Sequence, residues 1–156
     1  MSLLTLLILA GCGGSPSEKV QTVRGEGYRF EAPADWHQVP AKHLVQDPQG
    51  AGLAEVLTYQ TVKRYEPDRF TEAAAELDRN AAQLARQQKG GKLVKKLTTQ
   101  VAGRKVRWYQ IDFGPGRTEE LAFVFEGKTE YFLLCRRLTS DADTDCKNFF
   151  SSFRLQ

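Results

Sequence analysis

The chain has 156 residues, of which 41% are hydrophobic and 26% charged. That is enough for one domain with an apolar core of its own, so folding requires neither a metal nor a dense set of disulfides. Lysine and arginine number 22 against 19 aspartates and glutamates, a net charge of +3, which is too balanced for a nucleic-acid-binding protein.

Residues 1–11, MSLLTLLILAG, carry no charge. The apolar run Leu3 to Ala10 is far shorter than the roughly 20 residues a membrane-spanning helix needs, and matches the central region of a signal peptide. It closes in Leu9-Ala10-Gly11-Cys12. This resembles the bacterial lipobox, in which small residues admit the peptidase and the cysteine thiol accepts diacylglycerol. Cys12 is therefore the expected lipidation site, and two acyl chains hold a protein stably where one would not. No Lys or Arg precedes the apolar run, as one does in most signal peptides, a departure that fits either an upstream start or a truncated chain. Residues 12–26 read as the lipidated cysteine and a flexible tether, led by Gly13-Gly14-Ser15-Pro16-Ser17. Gly13 after the cysteine, where an inner-membrane lipoprotein would carry Asp, fits transport to an outer membrane if there is one. The expected address is the cell envelope, with the domain on the periplasmic or cell-surface side.

Tyr28, Phe30 and Ala32 alternate with Arg29 and Glu31, the period of a half-buried strand. A turn at Pro33-Ala34-Asp35 leads to a short strand, Trp36 to Val39. Asp47 to Gly52 reads as a loop, and Leu53 to Val62 as a longer strand. The period then changes. Phe70, Ala74, Leu77, Ala81 and Leu84 form one stripe of an amphipathic helix. Pro67 suits its first turn, and Gly90-Gly91 ends it. Four strands follow: Lys92 to Val101, Lys105 to Phe113, Glu120 to Phe125 and Thr129 to Arg136. Short turns between them make an antiparallel meander. A last helix is expected after Ser140, capped by that serine, with Asp141, Asp143 and Asp145 at its positive pole. Strands, helix, strands and helix in this order predict an α+β domain, an antiparallel sheet covered by helices.

Three cysteines are present, and Cys12 is assigned to lipid. Outside the cytoplasm the other two, Cys135 and Cys146, are expected to pair. The bridge would staple the last helix to the last strand.

Few residues suggest chemistry. Gly127-Lys128-Thr129 copies the end of a phosphate-binding loop, but Ala122 stands where the motif needs glycine and the segment links two strands. Asp141, Asp143 and Asp145 mimic an EF-hand, but Cys146 and Ser152 occupy its glycine and glutamate positions. His37 and His43 do not make a zinc site. Asp35 near His37 suggests a base and its orienter without a nucleophile. Glu119 and Glu120, adjacent on a strand, point to opposite faces. No catalytic residue, metal or cofactor is expected. Lys92, Lys95, Lys96, Arg104, Lys105 and Arg107 cluster on one hairpin and form a candidate binding surface for anionic headgroups or an acidic partner. The same lysines also suit a solvated sheet guarded against aggregation.

Tyr28-Arg29-Phe30-Glu31-Ala32-Pro33-Ala34-Asp35-Trp36 resembles the opening YxFxxPxxW hairpin of PsbP-like domains. The closing strand pair and the helix ending Phe149-Phe150-Ser151-Ser152-Phe153 are similar to the end of the same family. The resemblance covers residues 27–156. It implies an α/β/α sandwich whose central antiparallel sheet of about six strands is flanked by a long helix and a C-terminal helix. The superfamily includes DcrB-like bacterial envelope lipoproteins, and its members are mostly binding or assembly factors without a shared catalytic motif. Two functions follow as expectations. One is a lipid-anchored, non-enzymatic envelope binding or assembly protein, held to the membrane through Cys12, with an envelope protein or lipid as partner. The other is an envelope carrier of a lipid or small molecule, or a hydrolase using Asp35 and His37.

Overall fold

The computed structural model describes residues 19–39, 43–114 and 116–156. Cys12 and the start of the tether lie outside them. The elements are β1 (Val20–Gly25), β2 (Tyr28–Pro33), β3 (His37–Val39), β4 (Leu44–Gln46) and β5 (Leu53–Gln60), then α1 (Phe70–Gln87). There follow β6 (Gly91–Val101), β7 (Arg104–Phe113), β8 (Arg117–Glu126), β9 (Thr129–Leu138), α2 (Thr144–Ser152) and β10 (Arg154–Leu155).

Seven strands form one antiparallel sheet in the order β3-β4-β5-β9-β8-β7-β6, and β1-β2-β10 form a second, smaller sheet. Alternation along the central strands serves two cores, one on each face of the large sheet. Tyr109, Ile111, Leu121 and Leu134 meet Leu77, Ala81 and Ala85 of α1 on one face. Val106, Ala122, Val124 and Leu133 meet Phe30 of β2 and Phe149 and Phe153 of α2 on the other. The rings of Phe30 and Phe149 pack edge-to-face at 4.8 Å between centroids. The molecule is thus an α+β sandwich with α1 on one side and α2 with the small sheet on the other.

One turn of 3-10 helix, Pro67–Arg69, precedes α1. At the other end Gly90 adopts φ +83°, and a Cβ on Gly91 would fall 2.0 Å from the Ala85 carbonyl oxygen. Only glycine lets the chain leave the helix so tightly.

The structure corrects three expectations. Residues 20–25, read as part of the tether, form β1 and pair with β2 from Val20↔Pro33 to Gly25↔Tyr28. The strand was hidden because it is the edge of a small sheet and buries only Val23. The sheet has seven strands rather than about six, and the opening hairpin lies outside it. β4 pairs only Leu44, Val45 and Gln46 with β5, too short a run for a period to show. Ser140 does not cap α2. Its Oγ meets Asp141 Oδ1, and the helix begins at Thr144, after Asp143.

Candidate functional site

On the α2 side of the large sheet, the small sheet and α2 cover β5, β9 and β8, and β6 and β7 only at their turn end, at Val101 and Val106. A groove of about 450 Å³ remains between α2 and the faces of β6 and β7. Its apolar surface is Leu97 and Val101 from β6, Trp108 from β7 and Phe150 from α2. Trp108 is half-buried, and Lys95 Nζ lies 5.7 Å from its ring centroid. That is a cation–π contact at the groove mouth.

Glu120 lines the same groove and is only 4% exposed. Arg137 Nε donates to its Oε1 at 3.3 Å. Burial pushes the Glu120 carboxyl above the ordinary range, with a smaller push from Asp143. Arg137 and Lys147 pull the other way without offsetting it. Asp143 and Lys147 are themselves paired at 2.8 Å across one turn of α2. The groove therefore combines an apolar floor, the raised Glu120 carboxyl, the Asp143–Lys147 pair and Lys95, whose ammonium lies by the Trp108 ring. That suits an amphipathic ligand or an apolar anchor residue of a partner.

Cys135 and Cys146 form a disulfide, with Cα atoms 5.5 Å apart. Both are buried, and Cys135 stands opposite Glu120 in the β8–β9 register. The bridge fixes the helix wall of the groove to the sheet.

The six basic residues of the β6–β7 hairpin do not form one surface. In the register of that hairpin, Lys95 faces the groove, whereas Lys96 and Arg107 stand beside Tyr109 and Thr98 on the α1 face. Arg107 and Lys96 both bind Asp78 of α1, at 2.8 and 2.9 Å. Tyr109 Oη donates to Asp78 as well, at 2.9 Å. Lys105 Nζ covers the Phe70 ring at 4.5 Å, and Arg104 pairs with Glu126. Lys92 and Lys95 are exposed on β6, the outermost strand. A register shift between Leu93 and Lys95 bulges this edge. Lysines plus a bulge are a standard guard against edge-to-edge pairing.

The other candidates disperse. Gly127-Lys128-Thr129 makes the β8–β9 hairpin turn. Asp143 and Asp145 sit at the start of α2, and among the described residues no group of three His, Cys, Asp or Glu is placed to hold a metal. Asp35, His37 and His43 are exposed, and none lines the groove. Glu119 and Glu120 part as expected, Glu119 to Arg136 on the α1 face and Glu120 to Arg137 on the other. The groove residues Leu97, Trp108 and Phe150 were not legible as a site. Trp108 and Leu97 are cross-strand partners, but an aromatic–aliphatic pair on two strands reads equally as core. What exposes it is the short reach of α2.

No family model matches the sequence, and no curated protein matches it. The structure is similar to the solution structure of cyanobacterial PsbP from Synechocystis sp. PCC 6803, with a TM-score of 0.63 and 15% identity over 95% of this chain and 99% of that one. It is also similar to a crystal structure from Bacteroides thetaiotaomicron VPI-5482, with a TM-score of 0.59 and 12% identity over 88% of this chain. This chain spans about half of that protein, 48% of its length. The chain thus has a PsbP-like fold. At such identities the likeness is one of fold, and function rests on the site.

Proposed function

We propose, from a PsbP-like fold with an open groove beside a buried disulfide, that the chain is a lipid-anchored, non-enzymatic binding or assembly protein of the bacterial cell envelope. In this reading Cys12 carries the lipid and the α2–β6–β7 groove receives the partner. The observation that carries the proposal is the groove itself, with Trp108, Leu97 and Phe150 presented beside Glu120. Half-buried aromatics ringed by charge are the usual anchor points of protein interfaces. The Cys135–Cys146 bridge supports an oxidising compartment, and the Leu9-Ala10-Gly11-Cys12 motif supports the lipid.

A photoreactive side chain at position 97 of the lipid-anchored protein, illuminated in its native membrane, tests this. A specific protein adduct, lost when Trp108→Ala is added and absent from Cys12→Ser, supports the assembly reading. An adduct with lipid or a small molecule supports the second reading, a carrier. That reading is favoured by the groove volume, which lies in the range of small-molecule sites. With no adduct of either kind, the groove is not the binding site. No comparable observation favours a hydrolase, since Asp35 and His37 are exposed and lie away from the groove.

A further inference from the structure

The small sheet carries a row of uncompensated positive charge. Along β1 and β2, Val23, Tyr28 and Phe30 turn inward to the core, so Arg24 and Arg29 point outward. The register sets Arg24 opposite Arg29, and Arg29 opposite Arg154. With the strand order β1-β2-β10, three arginines stand side by side across the outer face, neighbouring Cβ atoms about 5 Å apart. All three are exposed.

Among the described residues, no carboxylate forms an ion pair with any of them. Arg154 donates to the carbonyls of Ser151 and Phe153, which leaves its charge in place. Glu31 shares the outer face, but it stands opposite Thr22, one step along from the row. Elsewhere on the sheets Arg104, Arg107, Arg136 and Arg137 each meet a carboxylate. Like charges directly opposite on a sheet destabilise it. An anion laid over the row turns that repulsion into attraction. Beside the row opens a hollow of about 340 Å³, whose lining includes Arg29, Arg154, Thr22 and Ser151. Its polar walls suit a hydrated headgroup, whereas the apolar groove under α2 does not.

We infer that this row is the face the domain sets against a bilayer, with the phosphates of anionic lipids over Arg24, Arg29 and Arg154. The planar guanidinium matches phosphate oxygens in bidentate pairs. Chain connectivity brings the row to the membrane. β1 begins at Val20, and the stretch 12–20 spans at most about 28 Å. The small sheet is therefore the part of the domain that an anchor at Cys12 holds nearest the lipid. The choice of a bilayer rests on the anchor proposed above; the arginine row itself does not.

Co-sedimentation of residues 19–156 with lipid vesicles tests it. This segment contains both cores and no Cys12, so the result does not depend on acylation. Vesicles of phosphatidylglycerol and phosphatidylcholine in equal parts should bind the domain, and added salt should release it. Vesicles of phosphatidylcholine alone should not bind it. Arg29→Gln should lower the partition coefficient about fivefold. Arg29 makes no side-chain hydrogen bond among the described residues, so this single change reads binding without an effect on folding. Arg24→Gln, Arg29→Gln and Arg154→Gln together should reduce binding to the level of neutral vesicles. Arg86→Gln, Lys89→Gln and Lys92→Gln remove the same charge from exposed positions elsewhere and should retain most of it. Circular dichroism verifies folding of both triple variants. Absence of binding to the anionic vesicles overturns the inference, as does an equal loss in the two triple variants.

Discussion

Asp78 is the residue on which most polar contacts converge. Arg107, Lys96 and Tyr109 all donate to its carboxylate, tying α1 to β6 and β7. These donors hold its carboxyl well below the usual range. A depressed folded-state value contributes stability above the unfolded value, 3.8, which is lost as pH falls toward the folded one. Asp78→Asn should therefore cost about 2 kcal/mol at neutral pH, since buried Tyr109 and mostly buried Arg107 lose a charged acceptor. In urea denaturation the variant should also lose less stability than the parent between neutral pH and pH 3. Glu120 has the opposite sign. Its carboxyl is raised by burial, so its contribution is largest below 4.5 and is lost as pH rises through the folded value. Ala102 offers a gain. It holds φ +50° beside Gly103 at +72° in the β6–β7 turn, a conformation that L residues other than Asn and Asp adopt at a cost. Ala102→Asn should raise stability by about 1 kcal/mol, read as a shift of the urea midpoint at constant slope.

Helix α2 is short, nine residues, and stays in place through Phe149, Phe150 and Phe153 and through the disulfide. Closing a loop between residues 11 apart stabilises by roughly 3 kcal/mol on the chain-entropy model. Replacing both Cys135 and Cys146 by Ala should cost stability of that order, read as a lower urea midpoint at constant slope, while leaving the circular dichroism of the folded state intact. The same change should weaken any groove ligand more than a surface substitution on β3 does, because the helix wall carries Phe150 and Lys147. At this scale the sequence was most legible for α1, where the stripe from Phe70 to Leu84 and the Gly90-Gly91 stop fix type and extent. It was least legible for β1, β4 and β10, which bury too few side chains to impose an alternation.

The whole molecule is one sheet sandwiched between two cores that share its central strands. β8 and β9 contribute Leu121 and Leu134 to one core, and Ala122 and Leu133 to the other. They can open only if both cores break. Native-state hydrogen exchange should find the most protected amides in β8 and β9. The edge strands β3 and β6 and the outer strand β1 should exchange by local fraying. Slow exchange confined to β6 and β7 would show that the α1 core holds the domain alone. The same architecture leaves the groove under α2 open, because that helix is not broad enough to reach across β7 and β6.

Local signals in the chain determined its element types: alternation in β2, the helical stripe of α1, and the short turns that bound the later strands. They also determined that Cys135 and Cys146 could meet, since they flank one strand-to-helix connection. These features depend on near neighbours and on periods that a single segment displays. The tertiary structure alone decided what those elements leave exposed. Six basic residues that cluster in the chain are sent to two faces by the pleat and by the shift near Val94, and four of them are engaged with Asp78, Glu126 or Phe70. Trp108 and Phe132 look alike in sequence, each an aromatic in a strand. Their partial exposure follows from how far α2 and α1 reach across the sheet, which is set by packing between elements remote in the chain and cannot be read from the periodicity of either strand.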